Sequence, residues 1–276
     1  MNQKNSSAAG ERLYKAFVYV ALITLAVVII VPVAWVFLAS IKENSELYGN
    51  PWALPKGFYW LNFVNAWNKA NMGGYMLHSV MITVMALGIL LVVALPASYC
   101  LARFKFVSQK FLNTCFMAGL FINVNYIVVP IYLMLSDGDK WLKSVLGNGF
   151  LLNNHIVVAV VYAATALPFT IYLLSSYFAT LPHDFEEAAY IDGAGTFRVF
   201  ATIIVPAIKP ILGVIALFAF RTAWNEFVTA QVFTMSNPGL KTLSVAVANL
   251  RYSANAAAEW HIMTAGASIA LLPILI

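Results

Sequence analysis

Charge is scarce in this sequence: Asp, Glu, Lys and Arg make up 10% of its 276 residues, against about 25% in soluble domains. That shortage excludes a soluble globular enzyme or carrier, which needs charge to wet its surface. Cysteine is scarcer still. Cys100 and Cys115 are the only two, both in or beside apolar stretches, so no disulfide framework is implied. A Gly-Lys-Ser/Thr phosphate loop does not occur, and nucleotide hydrolysis therefore has no cradle in this chain. The histidines, His78, His155, His183 and His261, are far apart with no cysteine or carboxylate at ligand spacing, and read as residues at helix ends rather than metal ligands. There is no internal repeat, low-complexity tract or soluble domain.

Apolar residues fill the space that charge leaves, at 62% of the chain with a mean hydropathy of +0.81. Runs at Phe17–Ile41, Met76–Ala102, Phe111–Leu135, Ile156–Phe178 and Ile208–Met235 each exceed the roughly 20 residues that a helix needs to cross hydrocarbon. A sixth, Ile262–Ile276, is marginal, which suggests a C-terminus that is truncated or incompletely represented. The first run is too long for a signal-peptide core and should stay as an uncleaved helix. The expected organisation is one transmembrane domain over residues 1–276, embedded in a lipid bilayer.

The net charge of +5 is scattered along membrane boundaries, which argues against nucleic acid and for orientation. Arg103, Lys105 and Lys110 share one short loop without an acid, and Lys4, Arg12 and Lys15 share the N-terminal tail. Both read as cytoplasmic by the positive-inside rule, and six crossings put the loop around Glu187 on the same side. The segment Lys42–Tyr75 reads as external. Its Trp52, Trp60 and Trp67 suit an interfacial belt, with a sugar-stacking platform as the other reading. Asp137-Gly138-Asp139-Lys140 is too short and incomplete for a calcium loop and reads as a turn.

Residues 186–206 form a polar, helix-competent insert between two apolar runs: Glu-Glu-Ala-Ala-Tyr-Ile-Asp-Gly-Ala-Gly-Thr-Phe-Arg-Val-Phe-Ala-Thr-Ile-Ile-Val-Pro. Asp184 and Glu187 are spaced as a capping pair for a short helix, and Gly193 and Gly195 would end it. Ala188 and Ala189 offer little bulk, so another backbone can approach, while Glu187 offers a carboxylate to a basic partner. The bland alternative is an ordinary amphipathic loop of good helix formers.

With Glu187, Ala188, Ala189, Gly193, Ile203 and Pro206 in register, and Val205 where Leu is usual, the insert resembles the EAA loop of ATP-binding-cassette importer permeases. Further stretches are similar to the carbohydrate-importer permeases of the maltose-transporter type: Pro96-Ala97-Ser98-Tyr99-Cys100-Leu101-Ala102-Arg103-Phe104-Lys105-Phe106, Leu167-Pro168-Phe169, Trp224-Asn225-Glu226-Phe227, Lys241-Thr242-Leu243 to Asn249-Leu250, and Trp260 with Ala265-Gly266-Ala267. Two departures stand out: the last helix lacks the family's aromatic, basic continuation, and Ser136–Asn154 is longer and more polar than the usual external connection.

The resemblance implies an all-α fold of six membrane helices with a cytoplasmic coupling helix, the loop spanning about residues 180–207. It implies a non-catalytic subunit of a sugar importer in a bacterial or archaeal plasma membrane, N-terminus cytoplasmic. This chain would supply half of a pathway, paired with a second homologous permease, docked on a dimer of ATPase subunits that carry the ATP and Mg2+, and served by an extracellular sugar-binding protein. Glu186, Glu187, Ala188, Ala189, Asp192 and Gly193 would carry ATPase coupling. A permease for a polyamine or phosphonate, a transporter or channel working without an ATPase, and an intramembrane hydrolase are the other classes weighed.

Polar residues inside apolar spans are costly and therefore informative. Arg221, Asn225 and Glu226 are the densest set, with Arg221 about 20 Å along a helix from Ile208 and so near mid-membrane. Arg221 and Asn225 share a face, and Glu226 lies roughly 140° around from Arg221. They read either as a structural pair or partner-subunit bond, or as groups lining the translocation path that meet sugar hydroxyls or, for an acidic sugar, a carboxylate. Asn123, Asn125 and Tyr126 on the third span and Tyr162, Thr165 and Thr170 on the fourth are further candidates. Leu243–Glu259, with Asn249, Tyr252, Ser253 and Asn255, reads as an outward loop facing the binding protein.

Overall fold

The computed structural model describes residues 2–235, 237–253 and 259–275, and the side chains of all of these except 2–9, 238 and 251–253. Every regular element among them is helical. That follows from the composition, because a chain in hydrocarbon must satisfy its backbone internally and a helix does so within one segment. Three helices are long and apolar enough to cross a membrane: Gly10–Ser40 within α1 (Asn2–Ser40), α4 (Met72–Arg103) and α7 (His155–Phe178). Counting each of two bent pairs as one span gives five, and α14 (Trp260–Leu275) is a shorter apolar helix. The structure is thus an all-α membrane protein.

The expected third and fifth spans are not straight rods. The third consists of α5 (Gln109–Gly119) and α6 (Val124–Leu146), which meet at 107°. Asn123 makes the second start possible: its side chain accepts from the Asn125 N–H at 3.0 Å and satisfies one of the donors that a helix start leaves open. At the fifth, α9 (Thr196–Val199), a π-helical turn (Phe200–Ile204) and α10 (Val205–Ala207) form one helical run that bends by 75° into α11 (Lys209–Asn225). Pro206 has no N–H to donate and its ring crowds the preceding turn, and a widened turn just before it accommodates both. The span ends at Asn225, not Met235; after a break at Glu226 and Phe227 the chain resumes as α12 (Val228–Thr234).

A further correction concerns Asp137–Lys140, which lie inside α6 and not in a turn. Asp139 explains the difference, since it is 2% exposed, pairs with Lys143 at 2.8 Å and accepts from the Leu151 and Leu152 N–H groups at 2.8 and 3.4 Å. Its carboxylate therefore ties the strand of chain after Gly147 back onto the helix.

By packing, the chain divides into two compact units, Met1–Met72 with Val247–Ile276, and Gly73–Ala246. In the first, α2 (Asn44–Gly49) and α3 (Leu61–Lys69) join α1 and α14. Lys42, 1% exposed, donates to the Pro51 carbonyl at 2.7 Å, a carbonyl that also takes the Trp35 indole N–H at 3.0 Å. The second unit holds two apolar clusters. One gathers Leu90, Tyr99, Phe178, Ala189, Val199, Ile204 and Ile208; the other gathers Ile82, Val128, Val158, Tyr162 and Phe233.

Candidate functional site

The insert forms α8 (Asp184–Ile191). Three acids in its first turn, Asp184, Glu186 and Glu187, are favoured there by the helix dipole, and Ala188 and Ala189 propagate it. The expected capping pair does not form: the residue before the helix is His183, in helical conformation and without a side-chain cap, so Asp184 is already inside the first turn. Gly193 does end it. At φ +77° it takes the left-handed conformation, its N–H reaches the Tyr190 carbonyl at 3.0 Å, and the Ala194 N–H reaches back to Ala189 at 3.0 Å, the double closure of a Schellman end. Gly195 plays a different part from the one expected, in extended conformation as the residue that starts α9.

Helical periodicity splits the insert's residues into two faces. Asp184, Glu187, Ala188 and Ile191, at i, i+3, i+4 and i+7, are all exposed, and Ile191 is 86% so. Asp192 and Gly193 are exposed beside them. Glu186 and Ala189 face the other way, each 7% exposed, with Ala189 packed into the cluster around Tyr99 and Phe178. Those two therefore do not belong to the outward surface predicted for them. Ile191 and Phe197, the latter 81% exposed, are surface residues that the sequence reading missed. Their signal was an apolar side chain in an otherwise polar insert.

Glu186 has a partner within the chain. Arg103, the last residue of α4, brings its Nε to 2.9 Å from Glu186 Oε1, with the two side chains 3% and 9% exposed. The atoms lack the alignment of a hydrogen bond, so this contact is Coulombic. The same guanidinium donates to the Leu181 carbonyl at 2.9 Å and lies 3.1 Å from His183 Nε2.

The residues expected along the path divide as well. Glu226, Tyr162 and Thr165 come together around one small cavity of about 90 Å³, joined by Thr222 and Thr229 and closed by Ala86, Leu87 and Leu90 of α4. Glu226 sits at the break after α11, accepts from the Thr229 N–H at 2.9 Å and through its own carbonyl takes the Ser244 hydroxyl at 2.8 Å. Arg221 and Asn225 are exposed and do not line the cavity. The Asn225 amide donates to the Arg221 backbone carbonyl at 2.9 Å, and no acid stands within ion-pair distance of Arg221 among the described residues, so an Arg221–Glu226 pair, one of the readings open to these residues, does not form. Asn123, Asn125 and Tyr126 cluster at the bend between α5 and α6, Tyr126 82% exposed. Thr170 is buried in α7.

The segment expected to be an outward loop begins as a helix, α13 (Leu243–Ser253). Asn249 is half-buried on it, Tyr252 is in its last turn, and Asn255 lies outside the described residues. Its first N–H, that of Leu243, is held by the Ser79 hydroxyl at 2.8 Å. Two of the histidines are less separate than their spacing suggests: the rings of His78 and His155 stand 4.7 Å apart, with His78 Nδ1 3.4 Å from the Lys241 carbonyl. No group of three or more potential metal ligands forms among the described residues.

Comparison with known proteins agrees with this architecture. Residues 75–276 match the family described as binding-protein-dependent transport system inner membrane component. The diacetylchitobiose uptake system permease protein NgcG of Streptomyces coelicolor is 36% identical over 222 residues, covering 80% of this chain and 70% of that protein. The melibiose/raffinose/stachyose import permease protein MelC of Bacillus subtilis is 28% identical over 238 residues, covering 86% and 81%. A chain in the crystal structure of a bacterial ABC transporter involved in the import of the acidic polysaccharide alginate matches with a TM-score of 0.80 at 20% identity, covering 96% and 94%, a likeness of fold. The family match takes in every span after the first, together with the short helix between the fourth and fifth of them, and the chain belongs to the family of binding-protein-dependent transport system inner membrane components.

Proposed function

We propose that this chain is the permease subunit of an ATP-binding-cassette importer for a sugar, and that α8 is the helix through which an ATPase drives it. The observation that carries the reading is the outward stripe of α8, where Glu187, Ala188 and Ile191 are presented on a helix whose far end is fixed by Gly193. Small residues permit close approach, an apolar side chain gives a neighbouring protein something to bury, and the carboxylate selects a basic partner. The ATPase is a separate dimeric subunit that binds ATP and Mg2+. A second homologous permease completes the pathway, since about 90 Å³ is far below the roughly 300–1,000 Å³ of small-molecule sites. An external binding protein delivers cargo to the face opposite α8, and the N-terminus lies on the ATPase side of a bacterial or archaeal plasma membrane.

Cargo of the oligosaccharide class is supported by relatives that take up diacetylchitobiose in Streptomyces coelicolor and melibiose, raffinose and stachyose in Bacillus subtilis. ATP binding closes the ATPase dimer, α8 is displaced, and the helix packing shifts between two states. The test is affinity purification of this chain from its own cell, mass spectrometry of what accompanies it, and a binding scan of the recovered binding protein against diacetylchitobiose, melibiose, raffinose and spermidine. An ATPase, a second permease and a saccharide-selective binding protein are expected; recovery without an ATPase, or selectivity for spermidine, overturns the reading.

A further inference from the structure

We propose that Arg103 is the link by which α8 moves α4, a positioning residue that makes the docking helix and a whole membrane span travel together. The inference rests on α8 being the ATPase-docking element. A helix as short as α8, entered through a loop and left at a left-handed glycine, would pivot if only its ends and the small side chain of Ala189 held it. Arg103 prevents that by gathering three groups of one short stretch: the Leu181 carbonyl, the His183 ring and the Glu186 carboxylate, at 2.9, 3.1 and 2.9 Å.

The chemistry suits a joint that moves as one piece. The Glu186 contact is Coulombic and off the hydrogen-bond line, so its attraction survives small strains of angle, while the bond to Leu181 opposes separation. A joint needed only for fold stability gains little from charge, since buried ion pairs are seldom better than apolar packing of the same volume. Arg103 is also the last residue of a helix that runs back to Met72 and stays helical through Pro96. A displacement delivered at Arg103 therefore reaches Leu90, Leu87 and Ala86, which wall the cavity holding Glu226 and Tyr162.

The test uses the complete importer in lipid nanodiscs, with spin labels at Lys105 and Asp184, compared without nucleotide and after trapping with MgATP and vanadate. In the wild type the inter-label distance stays the same on trapping. In Arg103→Gln it shifts or broadens on trapping, and stimulation of ATP turnover by the binding protein falls at least about fivefold. Arg103→Lys, which keeps the charge and can still donate to the Leu181 carbonyl, holds the wild-type distance. A wild-type distance that changes on trapping overturns the proposal, as does an Arg103→Gln complex with wild-type distance and stimulation. Lower yield of an Arg103→Gln complex that otherwise behaves as wild type marks a fold-holding residue only, and overturns it too. A wild-type complex lacking an ATPase would strike at the docking reading itself, whereas failure of the link in an intact, ATPase-containing importer strikes at this inference alone.

Discussion

Adjacent glutamates of one short helix have opposite fates, and the sequence gives no sign of it. Glu187 is exposed, so Glu187→Lys should leave the chain's stability within about 0.5 kcal/mol while weakening ATPase association about tenfold, near 1.4 kcal/mol; pull-down at graded ATPase concentration measures the second and thermal unfolding in detergent the first. Glu186→Gln should do the reverse. It strips the carboxylate from a buried guanidinium, which costs about 3–5 kcal/mol when a buried pair is broken from one side, so the unfolding midpoint of the isolated subunit should fall by several degrees. Equal behaviour of the two variants in both measurements would defeat the assignment of faces. Motif register identified both residues, but only the helical phase relative to Arg103, far away in sequence, separates them.

At the scale of elements, the end of α8 and the chain after α6 each need a glycine. Gly193 sits at φ +77°, a region that costs most L-residues about 1–2 kcal/mol and β-branched ones more. Gly193→Val should therefore let α8 run on past its stop, displacing Ala194 and Thr196 and uncoupling uptake from ATP turnover, with sugar uptake per ATP as the readout and unchanged coupling as the refuting result. Gly149 is constrained by contact instead, because a Cβ there would overlap the Asp139 carboxylate. Gly149→Ala should cost the Leu151 and Leu152 bonds and lower the unfolding midpoint, and a thermal melt identical to wild type would refute it.

Much of the element order was readable from hydropathy and motif: the first, second and fourth spans, the helix in the polar insert and its stop at Gly193 all stand where expected. The breaks were not, for a physical reason. A hydropathy window counts apolar residues and is blind to direction, so Leu120, Phe121 and Ile122 carry the apolar signal straight across a 107° bend. The available signs were local: Asn123 as a capping residue and the pair Glu226-Phe227 at the end of α11. An Arg221–Glu226 pair, one of the readings open from sequence, needs one continuous helix, whereas Glu226 lies at the break and its carboxylate accepts from the Thr229 N–H of the next helix.

For the molecule as a whole, the exposed Arg221 is informative. An arginine in a span costs at least about 2.5 kcal/mol facing lipid, and within its own chain it has no acidic partner among the described residues. Its partner should then be supplied by the companion permease or by cargo. Arg221→Gln separates these: a subunit contact predicts lower yield of the paired permeases with unchanged sugar preference, and a cargo contact predicts normal yield with impaired uptake. A variant that is wild type in both assays refutes both. The small cavity points the same way, since its polar groups, Glu226, Tyr162, Thr165 and Thr229, enclose too little volume to hold a disaccharide alone.

The π-turn at Phe200–Ile204 sets a rotational phase. An α-helix advances by about 100° per residue, so the additional residue absorbed in that turn rotates the part of the run before it, including exposed Phe197 and buried Val199, by about that angle relative to α10. Removing one residue there would leave the hydrophobic length of the span intact and yet swing Val199 out of the core and another side chain in. Cysteine accessibility at Phe197 and Val199 would report the exchange. Insertions and deletions in this stretch would thus act as a change of dial setting, turning α9 about its axis without lengthening the path across the bilayer.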